Sequence, residues 1–377
     1  MKCRNLTLIF NNFEEEHFGK DVFLLPYYLG KQYKCDVTIV YPLTATNRDF
    51  PAKVRGVNLC PLKGGRECWG IWSELVLLGY LLIHVKDIDV LMRFHYTFST
   101  FLMTYLYKLF NRNGKVYVKA DLDVADIAEL KQGTGMKSLI RTLFYPKGVE
   151  SLDVFSCETL ATYKTLLDST NKVFRLESKL VLLPNGFDEE FYVHLGLKER
   201  TFVEKENIMI TVGRLGTRQK NTELLLKALE SVVLKDWKIY LIGPIEESFK
   251  SVISDFYLAC PDKRKSVIFL GAIYDKQKLW EYYNKAKCFV FTSRYESYGL
   301  VLNEAKRFRN YIISTNVGAF QDLFDNGKYG IEIPQNNDIV LTHVLQKIID
   351  GCIDINVYHS FDVSTLSWDY LVKKIQL

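Results

Sequence analysis

The stretch Phe291-Thr-Ser-Arg-Tyr-Glu-Ser-Tyr-Gly-Leu-Val-Leu-Asn-Glu304 decides the fold. It begins inside the apolar run Cys288–Thr292, passes through a polar turn that carries Glu296, and continues as an amphipathic segment, Tyr298–Phe308. A short apolar run followed by a turn and a helical pattern is typical of a strand that leads into a helix. Alternation of this kind predicts an α/β protein whose parallel sheets are covered by helices.

The same alternation continues outward in both directions. In the second half of the chain, we predict further strands at Ile208–Val212, Lys238–Ile242, Val267–Leu270 and Tyr311–Thr315, and further helices at Asn221–Leu234, Glu247–Ala259 and Lys276–Ala286. In the first half, we predict strands at Leu6–Phe10, Val37–Tyr41, Val90–Phe94, Val116–Lys119, Val154–Ser156 and Val181–Leu183, and helices at Val22–Lys31, Trp72–Val85 and Thr97–Phe110. Two such series predict two Rossmann-like domains.

The turn Pro184-Asn-Gly186 lies between the two series and predicts their boundary. We therefore expect an N-terminal domain at residues 1–183 and a C-terminal domain at residues 184–360. Residues 361–377 are expected to form a helix that packs back on the N-terminal domain.

Composition and charge narrow the class of protein. The chain has 377 residues, of which 48% are apolar, as in globular proteins with sizeable cores. Residues 1–180 carry 24 basic and 19 acidic side chains, whereas residues 181–377 carry 25 of each. The small excess does not indicate nucleic acid. All of the excess positive charge lies in the first half of the chain, which is also rich in aromatic residues. This favours an anionic acceptor or a membrane surface as the partner of that half.

Cysteine spacing and apolar runs bear on metal binding and localisation. The eight cysteines include no C-x-x-C pair, so they are expected to be reduced and mostly buried. The apolar run Leu6–Phe10 is too short for a secretion signal. The longest apolar stretch, Leu75–Val85, has eleven residues, and a membrane span needs roughly 20. We expect a cytoplasmic protein that at most contacts the inner face of the membrane.

Two carboxylates mark the deciding stretch as a candidate binding site. The helix is predicted to begin near Tyr298, where its unpaired N–H groups could hold a phosphate beside Glu296. Gly299 would let a ligand approach the backbone closely. Glu304 would lie ~9 Å further along the helix, about the reach from a pyrophosphate to a ribose diol. The spacing alone equally allows a capping Glu296 and a surface Glu304.

A second candidate segment is Ile208-Met-Ile-Thr-Val-Gly-Arg-Leu-Gly-Thr-Arg-Gln-Lys-Asn221. Its strand runs into Gly213 and Arg214, and Lys220 opens the next helix. Arg214 offers a planar fork of donors and Lys220 a point charge, both at the carboxyl end of a strand, where open α/β sheets bind ligands. Taken alone, these two residues could also be solvated surface charges.

Together the two segments resemble the retaining glycosyltransferases of family 4, of the bacterial surface-polysaccharide and glycolipid type. The matching stretches are Pro184-Asn-Gly-Phe-Asp188, Val212-Gly-Arg-Leu with Lys220-Asn, Phe269-Leu-Gly-Ala, Ser293 with Glu296-Ser-Tyr-Gly-Leu-Val-Leu-Asn-Glu-Ala305, and Thr315-Asn-Val-Gly-Ala. Their order and spacing hold over roughly residues 181–335. The resemblance implies a GT-B architecture, in which two Rossmann-like domains face each other across a cleft.

The resemblance also implies roles for individual residues. Arg214 and Lys220, next to Gly213, would neutralise the donor pyrophosphate, which is the leaving group. Glu296 would hold hydroxyls of the transferred sugar and Glu304 the ribose. Backbone N–H groups of Tyr298, Gly299 and Leu300 would touch sugar and phosphate. Ser297 and Tyr298 replace the Gly-Phe that the family often has between its glutamate and glycine, which leaves the donor sugar open.

Two N-terminal features fit the same pattern. Gly19, in Phe18-Gly-Lys20, follows the first strand where the family has a glycine-containing loop that faces donor or acceptor. His95 ends the strand Val90–Phe94, where the family places a histidine near the donor sugar. A lone histidine after an apolar strand can also be structural.

The sequence therefore predicts a metal-independent, retaining hexosyltransferase that moves a sugar from a UDP- or GDP-linked donor to a glycan or lipid-linked acceptor, in polysaccharide or glycoconjugate biosynthesis. No cofactor or metal is expected, and Asp121-Leu-Asp123 is interpreted as a chance match to the D-x-D motif of metal-dependent glycosyltransferases. A sugar-nucleotide epimerase of the same architecture and a non-catalytic membrane-surface partner are the alternatives. No G-x-G-x-x-G follows the first strand, which counts against a dehydrogenase.

Overall fold

The computed structural model describes residues 3–64, 70–122, 124, 127, 146–169, 176 and 178–377. The chain divides into two compact units. The first consists of Met1–Gly186 together with Ser367–Leu377, and the second is Phe187–Leu366. The boundary thus lies at Gly186 where the sequence predicts residue 183, and the returning C-terminal segment begins at Ser367 where the sequence predicts residue 361.

The first unit is built on an eight-stranded sheet. Its strands are β1 (Asn5–Ile9), β2 (Asp36–Pro42), β3 (Lys53–Val54), β4 (Val57–Leu62), β5 (Val90–Phe94), β6 (Lys115–Lys119), β7 (Val154–Cys157) and β8 (Leu180–Leu182). The order across the sheet is β3-β4-β2-β1-β5-β6-β7-β8, and only the β3–β4 pair is antiparallel. The helices that belong to this part of the chain are α1 (Asp21–Tyr33), α2 (Ile71–His84), α3 (Phe98–Phe110) and α4 (Leu160–Ser169).

Both faces of this sheet are covered by apolar packing. All five residues of β5 are buried, and successive side chains point to opposite faces of the sheet. Met92 belongs to the apolar cluster that contains α1, and Leu91 belongs to the cluster that contains α2 and α3. Strands that are buried on both faces have continuously apolar sequences, and the sequence pattern therefore predicts their positions well. The predicted strand Val90–Phe94 is confirmed to the residue.

The second unit has a six-stranded, fully parallel sheet. Its strands are β9 (Glu206–Val212), β10 (Lys238–Ile242), β11 (Val267–Gly271), β12 (Ala286–Phe291), β13 (Tyr311–Thr315) and β14 (Gly330–Ile333), in the order β11-β10-β9-β12-β13-β14. Its helices are α5 (Glu189–His194), α6 (Thr222–Ser231), α7 (Phe249–Ala259), α8 (Lys276–Lys285), α9 (Leu300–Arg307), α10 (Phe320–Phe324) and α11 (Asp338–Ile349). Helices on both sides again give two apolar clusters, with Met209 of β9 in one and Ile210 in the other.

The strand order determines where this unit can bind a ligand. The chain leaves β9 toward β10 and β11 on one side, then crosses to β12, β13 and β14 on the other. The loops that follow β9 and β12 therefore diverge from neighbouring strands and leave a crevice at the carboxyl edge of the sheet. In open α/β sheets this reversal of strand order is where ligands bind.

The last residues of the chain pack into the first unit. Helix α12 (Trp368–Leu371) is followed by a 3₁₀ turn, Val372–Lys374. Trp368, Leu371, Val372 and Ile375 are buried in the apolar cluster that contains helix α1. The Tyr33 hydroxyl donates to the Ile375 carbonyl at 2.7 Å, which anchors the end of the chain on that helix.

The structure also contains elements that the sequence pattern did not predict. They are the strands β3, β4 and β14 and the helices α4, α5, α10 and α11. Strand β4 contains Pro61 and β14 has four residues, so neither gives a strong period-two signal. Helix α9 begins at Leu300, two residues after the predicted start, because Gly299 at its N-cap has φ = 83° and interrupts the helical backbone.

The backbone at Gly243 packs closely against the loop that follows β9. Gly243, which directly follows β10, has φ = 143°, and a Cβ atom at this position would lie 1.8 Å from the carbonyl oxygen of Gly213. The Gly213 N–H donates to the Ile242 carbonyl at 3.0 Å in the same region. A side chain at position 243 would therefore have to displace the backbone that carries Arg214.

We predict that Gly243→Ala destabilises the second unit by about 3 kcal/mol or more, because it combines a disfavoured φ with a backbone clash. Gly351→Ala is the matched control. Gly351 also has a positive φ, 73°, but a Cβ at this position would have open space within 4 Å, so its replacement should cost only about 1 kcal/mol. Urea denaturation of the full chain measures both. Equal losses for the two variants would contradict the close-approach argument.

Candidate functional site

Two loops meet at the carboxyl edge of the second sheet, where the strand order reverses. The first follows β9 and contains Gly213, Arg214 and Lys220; the second follows β12 and contains Glu296. Strands β9 and β12 are direct neighbours in the sheet. The two segments that the sequence singles out are therefore adjacent in the second unit.

Hydrogen bonds hold the two loops against each other. The Arg294 N–H donates to the Gln219 carbonyl at 2.8 Å, and the Gln219 amide donates to the Tyr295 carbonyl at 3.2 Å. The Arg294 guanidinium donates to the Arg218 carbonyl at 2.6 Å. The Thr292 hydroxyl is 3.0 Å from the carbonyl oxygens of both Lys220 and Asn221. These bonds set the separation of the charged side chains above them.

Lys220 and Glu296 form an ion pair across the two loops. Their Nζ and Oε1 atoms are 2.5 Å apart, and the side chains are 17% and 10% exposed. Lys220 Nζ also lies 5.1 Å from the centre of the Phe291 ring, which favours a cation. Glu296 is thus not a helix cap, and Lys220 is not a solvated surface charge. Both side chains are held in the crevice, with each as the counter-ion of the other.

Arg214 lies beside this pair and is exposed. Its guanidinium donates one hydrogen bond, to the Gln219 side-chain oxygen at 3.1 Å. The Lys220 stem packs over Gly213, so that a Cβ at position 213 would lie 3.2 Å from Lys220 Cε. The small residue at 213 therefore leaves room for Lys220 to reach Glu296.

The turn before α9 presents backbone to the crevice. Ser297 is exposed, whereas the Tyr298 side chain is buried at 2% exposure in the apolar core. Tyr298 can therefore reach a ligand only through its backbone. Gly299 and Leu300 lie at the start of α9, where the first N–H groups have no acceptor within the helix and carry a partial positive charge.

Glu304 lies one turn into α9 and is largely buried, with 12% of its side chain exposed. Its Oε1 atom accepts hydrogen bonds from Lys276 Nζ at 2.8 Å and from Trp280 Nε1 at 3.0 Å. Glu304 is therefore not a solvated residue on the helix surface. Neither Lys276 nor Trp280 was singled out from the sequence as a site residue. The i, i+4 spacing of the two residues on α8, which places them on one helix face, was a usable signal.

The two predicted residues of the first unit lie at the carboxyl edge of its sheet. Gly19 ends the 3₁₀ helix Glu15–Gly19 after β1. His95 follows β5 in the left-handed region, with φ = 65°, which is unusual for a residue with a side chain. Burial is the main cause that lowers the pKa of His95, against smaller opposing effects of Asp121 and Asp21. The imidazole is therefore neutral at pH 7.

A buried cluster of charged side chains lies at the same carboxyl edge of the first sheet. Lys119 is fully buried and donates to Asp21 Oδ2 at 2.6 Å, to Asn185 Oδ1 at 2.8 Å and to the Glu158 carboxylate. Burial alone would lower the pKa of Lys119, but the two carboxylates outweigh it and raise the pKa. Burial raises the pKa of Glu158 to about 7. Lys119 is thus a structural cation and not a residue on the rim of a binding site.

The residues of the D-x-D match give no metal centre that can be described. Asp121 is exposed, and Asp123 lies outside the described residues. Within the described ranges, no group of three or more His, Cys, Asp or Glu side chains is arranged to hold a metal ion. Cys3, Cys157, Cys260 and Cys288 are buried and Cys352 is exposed, while Cys68 also lies outside the described residues.

Helix α2 is apolar and partly uncovered. Trp72 is 65% exposed and Ile83 77% exposed, and Leu109 and Phe110 at the end of the neighbouring α3 are about half exposed. Among the helices that the structure describes, none is both long and apolar enough to cross a membrane.

Most of the second unit is similar to a family of known proteins. Residues 197–354 match the family model described as Glycosyl transferases group 1. An uncharacterized glycosyltransferase of Methanocaldococcus jannaschii is 26% identical over 196 residues, which is 49% of each chain. The amylovoran biosynthesis glycosyltransferase AmsD of Erwinia amylovora is 32% identical over 109 residues, 28% of each chain. The match thus spans about half the length of the first relative and less of the second.

Solved structures match over the whole chain. The Anabaena protein HepE in complex with UDP has a TM-score of 0.67 at 13% identity, with 98% of each chain covered. The sucrose-phosphate synthase of Thermosynechococcus elongatus has a TM-score of 0.68 at 17% identity, covering 98% of this chain and 97% of that one. At these identities the likeness concerns the fold. Residues 197–354 are thus similar to the Glycosyl transferases group 1 family, and the chain has the two-unit α/β fold of GT-B glycosyltransferases.

Proposed function

We propose that this protein is a retaining, metal-independent glycosyltransferase of family 4 that takes a UDP- or GDP-linked sugar as donor. The observation that carries the proposal is the pair of loops at the strand-order reversal of the second unit. They bring two cations, Arg214 and Lys220, together with the Glu296 carboxylate and the start of α9. A phosphorylated sugar presents the complementary groups, which are phosphate oxygens and hydroxyls.

Lys220 and Glu296, which pair with each other in the free protein, would each bind a different part of the donor. Lys220 would move its positive charge toward the pyrophosphate, and Glu296 would accept hydrogen bonds from the hydroxyls of the transferred sugar. Because each is the other's counter-ion before the donor binds, neither is left as an uncompensated half-buried charge. Arg214, exposed beside them, adds a forked donor that fits a phosphate group.

The chemistry required of the site is modest. The bond between the anomeric carbon and the phosphate oxygen breaks, the acceptor oxygen bonds to the same face of that carbon, and the acceptor proton passes to the leaving phosphate. Negative charge grows on the pyrophosphate as its bond breaks, so Lys220, Arg214 and the N–H groups of Gly299 and Leu300 would act mainly in the transition state. The family resemblance supports retention of configuration.

The acceptor and the setting of the reaction are proposed on other grounds. We place acceptor binding on the first unit, where Gly19 and His95, the residue that the resemblance puts near the donor sugar, lie at the carboxyl edge of the sheet. The excess positive charge of residues 1–180 and the exposed apolar side chains of α2 suit a glycan or lipid-linked acceptor reached from the cytoplasmic face of a membrane. The amylovoran biosynthesis relative supports a role in polysaccharide or glycoconjugate synthesis.

A ligand screen on the full chain tests the donor class. We expect UDP or GDP, or one of their sugar conjugates, to stabilise the protein by ~2.7 kcal/mol at 100 times its dissociation constant. EDTA is present throughout, because the two basic side chains are proposed to replace a metal at the pyrophosphate. Thermal melts provide the readout. Absence of stabilisation by every nucleotide would contradict the proposal, and stabilisation that requires added magnesium or manganese would contradict its metal-free part.

Lys220→Ala tests the assignment of the leaving group. We expect a fall in kcat of ~10²-fold or more at saturating donor, because the variant loses a cation that acts as charge develops. Lys227→Ala is the matched control, since Lys227 on the following helix is exposed and pairs with Asp338 away from the crevice. Its kcat should equal that of the parent. Steady-state release of the nucleoside diphosphate measures both variants, and a near-parental kcat for a folded Lys220→Ala protein would refute the assignment.

A further inference from the structure

Two side chains of α8 hold the Glu304 carboxylate from one direction. Lys276 and Trp280 are four residues apart and so lie on the same face of the helix. Both donate to the same atom, Glu304 Oε1, at 2.8 Å and 3.0 Å. Lys276 Nζ also lies 5.6 Å from the centre of the Trp280 ring, so the three groups form one connected set.

Aromatic packing fixes the position of the indole. Trp280 is only 3% exposed, and its ring centre lies 4.7 Å from that of Phe187 and about 6 Å from those of Phe191 and Phe308. A side chain surrounded in this way has one rotamer available. Its N–H group therefore points to a fixed place, and the position of Glu304 Oε1 follows from it.

This arrangement leaves acceptor sites of the carboxylate for a ligand. An ionised carboxylate has about four acceptor sites on its two oxygens, and both donors use Oε1. The other oxygen, Oε2, is used by neither of these two donors, and the buried hydroxyl of Tyr283 also lies against this carboxylate. A side chain that is 12% exposed can still be reached from the crevice side. A vicinal diol, with two O–H donors, is the group that matches the remaining acceptors.

We propose that Lys276 and Trp280 are positioning residues that orient Glu304 toward the ribose diol of the donor nucleotide, and that selectivity for ribose depends on them. The inference rests on the proposed function, since it takes the ligand to be a ribonucleotide. Trp280 supplies direction through a rigid N–H donor. Lys276 supplies a positive charge 2.8 Å from the largely buried carboxylate.

Titration calorimetry on the full chain tests this with two probes, the nucleoside diphosphate UDP or GDP that stabilises the parent, and its 2′,3′-dideoxy analogue. The parent should prefer the ribonucleotide by about tenfold or more, because the diol donates to a charged acceptor. Glu304→Ala should abolish the preference. Trp280→Phe, which keeps the ring but removes the N–H, and Lys276→Met should each reduce the preference several-fold. Their affinity for the dideoxy analogue should stay at the parental value.

Two variants of the same helix serve as controls. Lys278→Met removes an exposed lysine on the opposite face of α8, and Tyr282→Phe changes a ring that packs against Tyr240. Both should keep the full preference for ribose. If Trp280→Phe fails to fold, Lys276→Met decides the question, because Lys276 is 39% exposed and tolerates replacement. A parental preference in both test variants would overturn the inference while the proposed function stands. A parent that binds neither nucleotide would overturn both.

Discussion

The ion pair between Lys220 and Glu296 is the interaction on which the second unit's crevice depends. It joins the loop after β9 to the loop after β12, and these two strands are neighbours at the point where the sheet order reverses. Hydrogen bonds from the Arg294 backbone N–H and the Gln219 side-chain amide hold the same two loops together. Because the pair is mostly shielded from water, loss of either partner would leave the other as a half-buried charge and loosen both loops.

The two units use buried charge in different ways at corresponding edges of their sheets. In the first unit, Lys119 is fully buried and donates hydrogen bonds to Asp21, Glu158 and Asn185. Asn185 immediately precedes the end of that unit's main segment at Gly186, so the cluster fixes the last strand's exit. In the second unit the equivalent cation, Lys220, retains 17% of its side-chain exposure. The first cluster is therefore structural, whereas in the proposed function Lys220 of the second exchanges its partner for a ligand.

Sequence pattern predicted the parts of this protein that carry strong apolar periodicity. Strands such as Val90–Phe94 and Tyr311–Thr315 are buried on both faces, and their predicted bounds match the structure. The short strands β3 and β14 and the start of α9 did not follow from it. Strand β3 has two residues, and the left-handed Gly299 delays α9 by two positions. Both depend on local backbone geometry that residue type alone does not determine.

For the candidate site, too, the sequence predicted some features and not others. Spacing singled out Arg214, Lys220, Glu296 and Glu304 as candidates, and the family resemblance supplied the roles expected of them. It did not show that Lys220 pairs with Glu296, since the partners are 76 residues apart and meet only through strand order. Nor did it assign Trp280 to Glu304, because an aromatic residue on an amphipathic helix ordinarily belongs to the core. Trp280 is indeed buried, and only its N–H group bears on the site.

Hydrogen exchange of the full chain, with and without UDP or GDP, tests the central claim most directly, because it reports on backbone amides along the chain. A nucleotide held between the two loops should slow exchange in residues 213–221 and 294–304, with little change at the edge of the first sheet around residues 115–122. Protection confined to segments other than these two loops, or no protection at saturating nucleotide, would contradict the account.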